Sequence, residues 1–446
     1  MSTETIAEQH PLLTLKPYEA YTYAYPHKTA YRPLTPAIPL VEAWQHENRG
    51  ALFLYVHIPF CEMRCGFCNL FTASNPAENV IESFLVALHR QAEVTQAELP
   101  DARFARIAFG GGTPTVLSVQ QLERVLKLVR GLAAQKREDE NIPFSVETSP
   151  ATATTEKLAL LRAHRVERIS LGVQSFLDSE AAAVGRRQVR SDVETALQRV
   201  RGFGFPTLNI DLIYGIPGQT TETWRESLEA ALAYDPEEIF LYPLYVRSLT
   251  GLGRANRHWE DQRLELFREG RDFLLEQGYS HVSMRMFRAG HANASDGPAY
   301  CAQDDGMVGL GCGARSYTRS LQYSARYAVG AAGVRSITEE YNSRTAEELA
   351  CADYGFQLDA DEQHRRFVAL TLLNQSGLPL DGYERKFGSN VFEDLPQLRE
   401  LEPLRLAVQE GHQLRLTMAG LELSDSIGPW LYSERVNSLM RSFALS

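Results

Sequence analysis

Cysteine is scarce in this chain, with six in 446 residues. That is too few, spread over too long a sequence, for a disulfide framework. Long apolar runs are missing as well. No window approaches the roughly 18 consecutive apolar residues of a membrane-spanning helix, so no membrane span is expected. The opening MSTETIAEQHPLL lacks the basic and apolar regions of a secretory signal, and a cytoplasmic location is the expectation. Basic residues do not dominate either. Lys and Arg number 45 against 56 Asp and Glu, a net charge of −11, which argues against a dedicated nucleic-acid binder.

What cysteine there is stands together. Cys61, Cys65 and Cys68 fall within 55-YVHIPFCEMRCGFCNLF-71, while Cys301, Cys312 and Cys351 are scattered. The scattered three read as small buried apolar residues. The cluster, in a reducing compartment, points to metal or redox chemistry.

From residue 52 a rhythm begins. Short β-rich runs at 52–58, 106–109, 144–147, 168–173, 207–213 and 238–244 alternate with amphipathic segments such as 78–94, 119–132 and 220–234. Serial βα units imply parallel strands covered by helices. The sequence therefore predicts an α/β fold, either an open doubly wound sheet or a (β/α) barrel. Unusual residues sit at successive strand ends: Cys61, 110-GGGT-113, Glu147, Gln174, Asp211, Tyr242 and Tyr245. On a barrel these ends share one rim, so a partial (β/α)6 TIM-type barrel is expected over residues 51–325. Residues 1–50 form a Tyr- and Pro-rich arm, either an extension packed on the barrel or a gate that touches substrate. Residues 326–446 read as helices plus a hairpin around Glu410-Gly411, a winged-helix-like accessory domain. It has no basic recognition helix, so a structural or substrate-capping role is expected.

Three thiolates suit a site with one open position. Structural zinc takes four closed ligands, and no fourth cysteine is near. A [4Fe–4S] cubane takes one ligand per iron, so three leave an iron free to bind a small molecule. Zinc and an electron-transfer cluster remain alternatives on spacing alone.

Cys-x3-Cys-x-Phe-Cys after the first barrel strand resembles the radical S-adenosylmethionine (SAM) superfamily. YVHIPFC, GGGTP, VET, LGVQSF, GRRQ and NIDLIYGIPGQT are similar to the oxygen-independent coproporphyrinogen III oxidase family, which also includes haem chaperones and radical methyltransferases. The resemblance covers most of 51–315. It implies a [4Fe–4S] cluster on Cys61, Cys65 and Cys68, with SAM chelating the open iron. It also implies a reduced flavodoxin or ferredoxin as electron donor. By the same resemblance Tyr55 contacts the first SAM, Phe67 packs near adenine, and Gly111, Gly112 and Thr113 offer backbone N–H groups to a carboxylate. Glu147 binds SAM through the ammonium or the ribose, or is a solvated strand end. Gln174, Arg186 and Asp211 match positions for a second SAM, and Tyr245 joins the cofactor set. Asp211, inside an apolar strand, needs a partner, for instance Arg186.

Two departures stand out. The oxidases carry a further cysteine after the third ligand, where this chain has Asn69-Leu70. Arg315 stands where they place an apolar residue, and with Tyr55 it is a candidate catalytic residue. It pairs with a substrate carboxylate or phosphate, or with Asp304 or Asp305. Arg285 and Arg288 add positive charge, and if they line the pocket the substrate is anionic. The expected activity is hydrogen abstraction from an anionic small molecule of porphyrinogen type. Methyl transfer with a second SAM and haem chaperoning are the alternatives.

Overall fold

The computed structural model describes residues 10–14, 17–18, 21–133, 142–255, 258–292 and 301–444. Tyr300 lies outside the described residues. A sheet of 13 strands runs through the molecule. In chain order these are β1 (Arg32–Pro39), β2 (Leu52–Ile58), β3 (Phe104–Gly111), β4 (Phe144–Thr148), β5 (Arg168–Gln174), β6 (Thr207–Tyr214) and β7 (Glu238–Pro243). They continue with β8 (Tyr279–His281), β9 (Met286–Ala289), β10 (Met307–Leu310), β11 (Arg315–Tyr317), β12 (Leu321–Ser324) and β13 (Cys351–Gln357). In space the order is β1-β13-β12-β11-β10-β2-β3-β4-β5-β6-β7-β9-β8.

Strands β2 to β7 are parallel and adjacent in chain order, the six βα units expected. β10 adds a parallel neighbour to β2, and antiparallel strands extend both ends. The extensions come from all three segments the sequence divides. β1 belongs to the arm, and β13 follows residue 325.

Strand alternation explains what lies where. Leu52, Leu54, Val56 and Ile58 of β2 are fully buried, as are Val146, Ile169, Leu171, Leu208, Ile210, Leu212, Ile239 and Leu241. That set packs outward under helices such as Glu78–Glu98, Val119–Ala133 and Thr221–Leu232. Burying each such side chain contributes about 1.5–3 kcal/mol. Period two then turns the intervening residues into the barrel: Tyr55, Glu147, Ser170, Asp211 and Tyr242. The register sets Glu147 opposite Ser170 and Gly172 opposite Asp211. Here the apolar face meets the helices and the polar face lines the interior.

Beyond the barrel, helices Ala360–Leu372 and Leu380–Phe387 pack with a three-stranded sheet that includes the hairpin Ala407–Glu410 and Gln413–Leu416. Gly411 makes the hairpin turn with φ +59, and Thr417 caps the following helix with its side chain. The second hydrophobic core gathers this region around Leu12, Tyr25, Ala30 and Tyr31 of the arm. Among the described residues no helix is long and apolar enough to cross a membrane.

Candidate functional site at the carboxyl rim of the barrel

The cysteine loop leaves β2 at the carboxyl rim and is fastened on several sides. The Gly66 N–H donates to Val184 O at 2.8 Å, and Gly66 O accepts from the Leu252 N–H at 2.8 Å. Arg64 donates to the Val329 carbonyl. The three thiols are partly exposed and free of disulfides. Donors point at sulfur: the Thr72 hydroxyl lies 3.1 Å and the Thr113 hydroxyl 3.5 Å from Cys61 Sγ, and Arg186 Nη1 lies 3.3 Å from Cys65 Sγ. Burial pushes the Cys61 thiol up and the Cys68 thiol up to about 11. Such thiols are poor nucleophiles, and their thiolates need a metal or cluster to form. Hydrogen bonds to sulfur suit an iron–sulfur cluster. Among the described residues no three His, Cys, Asp or Glu side chains form a group for a single metal ion. A cubane takes one ligand per iron and does not require the thiolates to meet at one atom.

Glycines let the rim close up. His57 Nε2–H donates to Phe71 O at 2.9 Å, which leaves Nδ1 to accept from the Tyr55 hydroxyl at 3.4 Å. A Cβ at Gly111, whose φ is +110, would lie 2.7 Å from that imidazole, and one at Gly313 would overlap it. The Gly-rich loop and the segment Gly311-Cys312-Gly313 thus grip one ring from two sides.

The N–H groups of the Gly-rich loop are not available to a ligand carboxylate, contrary to expectation. Gly112 N–H donates to Ile58 O at 2.8 Å and Thr113 N–H to Phe60 O at 2.7 Å. The Gly111 N–H bonds the Glu147 carboxylate. Nor does this loop open an α-helix, since Pro114–Val116 is a 3-10 turn and the helix starts at Val119. A loop with its donors engaged presents carbonyl oxygens, which suit an ammonium better.

Two acids share the interior. Glu147 keeps exposed surface, yet desolvation and the nearby Asp211 push its carboxyl up to about 7. Both hold if the surface faces an interior space walled by protein. Asp211 is likewise raised by burial. Its partners are Asn209 Nδ2 at 2.7 Å and the Ser170 hydroxyl at 3.3 Å, not Arg186. Arg186 instead bonds Gly172 O at 2.5 Å and Gln188 Oε1 at 2.7 Å, beside Cys65. Gln174 stands at the end of β5 with φ +71, a strained conformation of the kind that collects at functional sites. Phe67 packs with Tyr242 against Val184, Ile213, Leu244 and Leu252 at the mouth.

Tyr245 departs from its expected role. Its hydroxyl donates to Asp425 and accepts from Arg285 Nη2 at 3.0 Å, and its ring stacks on Tyr21. Tyr242, one strand residue inside the rim, is the ring beside Asp211 and Glu147. Alternation explains the exchange: Tyr242 points inward, and Tyr245 lies past the strand. Arg285 and Arg288 do not line the pocket either. Arg285 is ion-paired with Asp425, their side chains 3% and 1% exposed, and Arg288 Nη2 reaches Glu238 Oε1 at 3.1 Å.

Arg315 does face the interior. The acids expected as its partners are engaged elsewhere, Asp304 with Lys386 and Asp305 Oδ2 with the Cys301 N–H at 2.7 Å. Its guanidinium lies 4.9 Å from the Tyr23 ring centroid and 5.7 Å from that of Tyr317. The arm is therefore packed on the barrel and brings Tyr23 against Arg315 in its interior. Tyr25 N–H donates to Gln303 Oε1 at 3.2 Å and Tyr31 donates to Gln322 Oε1 at 2.7 Å, while Tyr23 and Lys28 reach inward. Sequence reasoning missed both residues. The one signal was the arm's density of tyrosine.

A rim loop of three cysteines over a parallel α/β barrel with an acid-lined interior defines a radical SAM protein. Comparison bears this out: residues 55–231 match the radical SAM superfamily and 358–423 the HemN C-terminal domain. The chain is 30% identical over 382 residues to the haem chaperone HemW of Bacillus subtilis, covering 81% of this chain and 96% of that one. It is 27% identical over 402 residues to the oxygen-independent coproporphyrinogen III oxidase of Pseudomonas aeruginosa, covering 84% of each. Its fold matches the coproporphyrinogen III oxidase HemN of Escherichia coli with a TM-score of 0.74 at 22% identity, over 95% of this chain and 98% of that one. The chain belongs to the radical SAM superfamily, in the family that holds the oxygen-independent coproporphyrinogen III oxidases and HemW. Membership implies a [4Fe–4S] cluster and SAM, and the thiols, the donors to sulfur and the accessible Glu147 fit both.

Proposed function

We propose that this chain is a radical SAM enzyme acting on a carboxylate-bearing tetrapyrrole, with coproporphyrinogen-type hydrogen abstraction as the first reading. The observation that carries it is the division of one interior between acids and cations. Glu147 and Asp211 suit a cofactor with ammonium and sulfonium charges, and Arg315 suits an anionic substrate. When bound, the cluster and SAM supply a 5′-deoxyadenosyl radical on receipt of one electron, in this reading from reduced flavodoxin or ferredoxin. The chain's own part is placement. Cys61, Cys65 and Cys68 hold the cluster at the rim, Phe67 and Tyr242 wall the mouth, and Tyr55 is oriented by neutral His57. Burial and two nearby cations push that imidazole down to about 4.

A second reading is methyl transfer from a second SAM. Beyond burial, Asp211 helps to raise Glu147, and although Arg168 acts on both acids, a second cationic ligand would relieve the pair further. Gln174, Asp211 and Arg186 are the residues it would use. The haem chaperones among the relatives supply a third outcome.

The test is an anaerobic reaction of reconstituted protein, reductant and SAM with coproporphyrinogen III or, separately, haem, followed by mass spectrometry. Loss of carbon dioxide with 5′-deoxyadenosine supports the oxidase reading. A methyl gain with S-adenosylhomocysteine moves the chain to methyl transfer. Haem binding without SAM cleavage supports a chaperone. No reaction or binding with either compound sinks the tetrapyrrole reading.

A further inference from the structure

Two cations stand in the interior with no ion-paired carboxylate among the described residues. Arg315 Nη1 is buried and has no hydrogen-bond partner. Lys28, from the arm, holds its ammonium 3.6 Å from the Tyr327 ring centroid. Both act on the same phenol, Tyr23. Among the described residues no Asp or Glu forms an ion pair with either cation. The histidines beside them, His27 and His57, are pushed down by burial and by these charges, so they add no charge near neutral pH. Lys28 itself is pushed down to about 8, first by burial, with Arg315 adding to the effect while Tyr23 and the Cys68 thiol oppose it.

Desolvating two like charges side by side is costly. A fold that keeps them without an acid implies that the acid arrives with a ligand. Their position says which ligand. Tyr327, whose ring carries the Lys28 ammonium, donates to Asn69 O at 2.7 Å, one residue past the cysteine Cys68. The cations therefore border the cluster loop where this chain departs from the oxidase pattern.

We propose that Lys28 and Arg315, with the Tyr23 hydroxyl as a third donor, form the seat for one carboxylate of the substrate, and that the N-terminal arm is thereby a specificity element. This rests on the tetrapyrrole reading for the identity of the ligand, but not for the seat itself. Aromatic rings spread around the pair supply cation–π support, which holds the side chains in place without neutralising them.

The experiment has two readouts on the reconstituted full chain, held anaerobic. The first is binding of coproporphyrin III and of its tetramethyl ester, followed by porphyrin fluorescence. Lys28→Gln and Arg315→Gln should each weaken the tetra-acid by about tenfold or more, leave the ester unchanged, and recover in Lys28→Arg. Tetra-acid binding that is unchanged in both variants overturns the seat while leaving the tetrapyrrole reading in place. The second readout needs no porphyrin. Lys28→Met and Arg315→Met remove an uncompensated charge, so the ligand-free protein should melt higher, by about 2 °C. A lower melting temperature in both means the cations serve the fold, and the proposal falls. If the wild type binds neither porphyrin, the tetrapyrrole reading fails. The melting shift then decides the seat alone, a rise keeping it for another carboxylate and a fall ending it.

Discussion

The two walls of the barrel interior are built differently. The acid wall, Glu147 and Asp211, stands on the parallel strands β4 and β6 and is held by neighbours two residues or one strand away, Asn209, Ser170 and the Gly111 amide. The cation wall, Lys28 and Arg315, comes from the arm and from β11, outside the six βα units, and its two members lie more than half the chain apart. In the proposed reading the acid wall serves SAM, which the whole superfamily shares, and the cation wall serves the substrate. On that reading the βα scaffold fixes the chemistry and the segments added around it choose the substrate, as expected where function is grafted onto a common fold.

The largest effect tests the part both walls depend on. Replacing Cys61, Cys65 and Cys68 together by Ala should reduce cluster iron to background after reconstitution, read as iron per chain and loss of the visible cluster absorbance. A fully loaded triple variant would remove the basis for the comparison. Next comes a contrast between two buried arginines. Arg285→Met strands Asp425, whose side chain is 1% exposed, and should cost about 3–5 kcal/mol of stability, seen as a marked fall in melting temperature. The same change at Arg315 is expected to raise it. Equal falls at both positions would erase the distinction between a structural and a waiting cation. A smaller effect is expected from Asp211→Asn, which should weaken SAM binding about tenfold with cluster iron intact. Unchanged binding would take Asp211 out of the acid wall.

How these features showed in the sequence follows the same division. The strands β2 to β7 lay within about three residues of their predicted runs, because alternation and the βα rhythm are local signals. The amphipathic segment expected at 220–234 is the helix Thr221–Leu232, capped by Thr220 with Thr223 in a reciprocal pair. β1 was not legible. RPLTPAIP carries three prolines, which a strand tolerates only at an edge or a bulge, and here the strand is the sheet edge with an irregular register between Pro33 and Ile38. The cysteine loop and Glu147 were legible for the local reason. Lys28 was not, because its meaning depends on Arg315, more than half the chain away. The Gly-rich loop was found but its hydrogen bonding was misjudged. A motif fixes where glycines sit and not which carbonyl takes each N–H.

The subtlest test concerns the proton on Glu147. Desolvation, with Asp211 nearby, raises this carboxyl to about 7 in the folded chain, against about 4.3 unfolded. Between those values the native state holds a proton that the unfolded state has released. The slope of unfolding free energy with pH is then negative, so this group's contribution to stability is present at low pH and is lost as pH rises through about 7. Glu147→Gln should flatten that part of the ligand-free melting profile. A cationic ligand reverses the preference, since it pairs with the ionised form. SAM should therefore bind about tenfold more tightly at pH 8 than at pH 6 in the wild type, and that difference should shrink in Glu147→Gln, measured by equilibrium dialysis with reconstituted protein. If the variant keeps the full pH dependence, the proton belongs to another group, and Glu147 is a bystander to the cofactor rather than its acid wall.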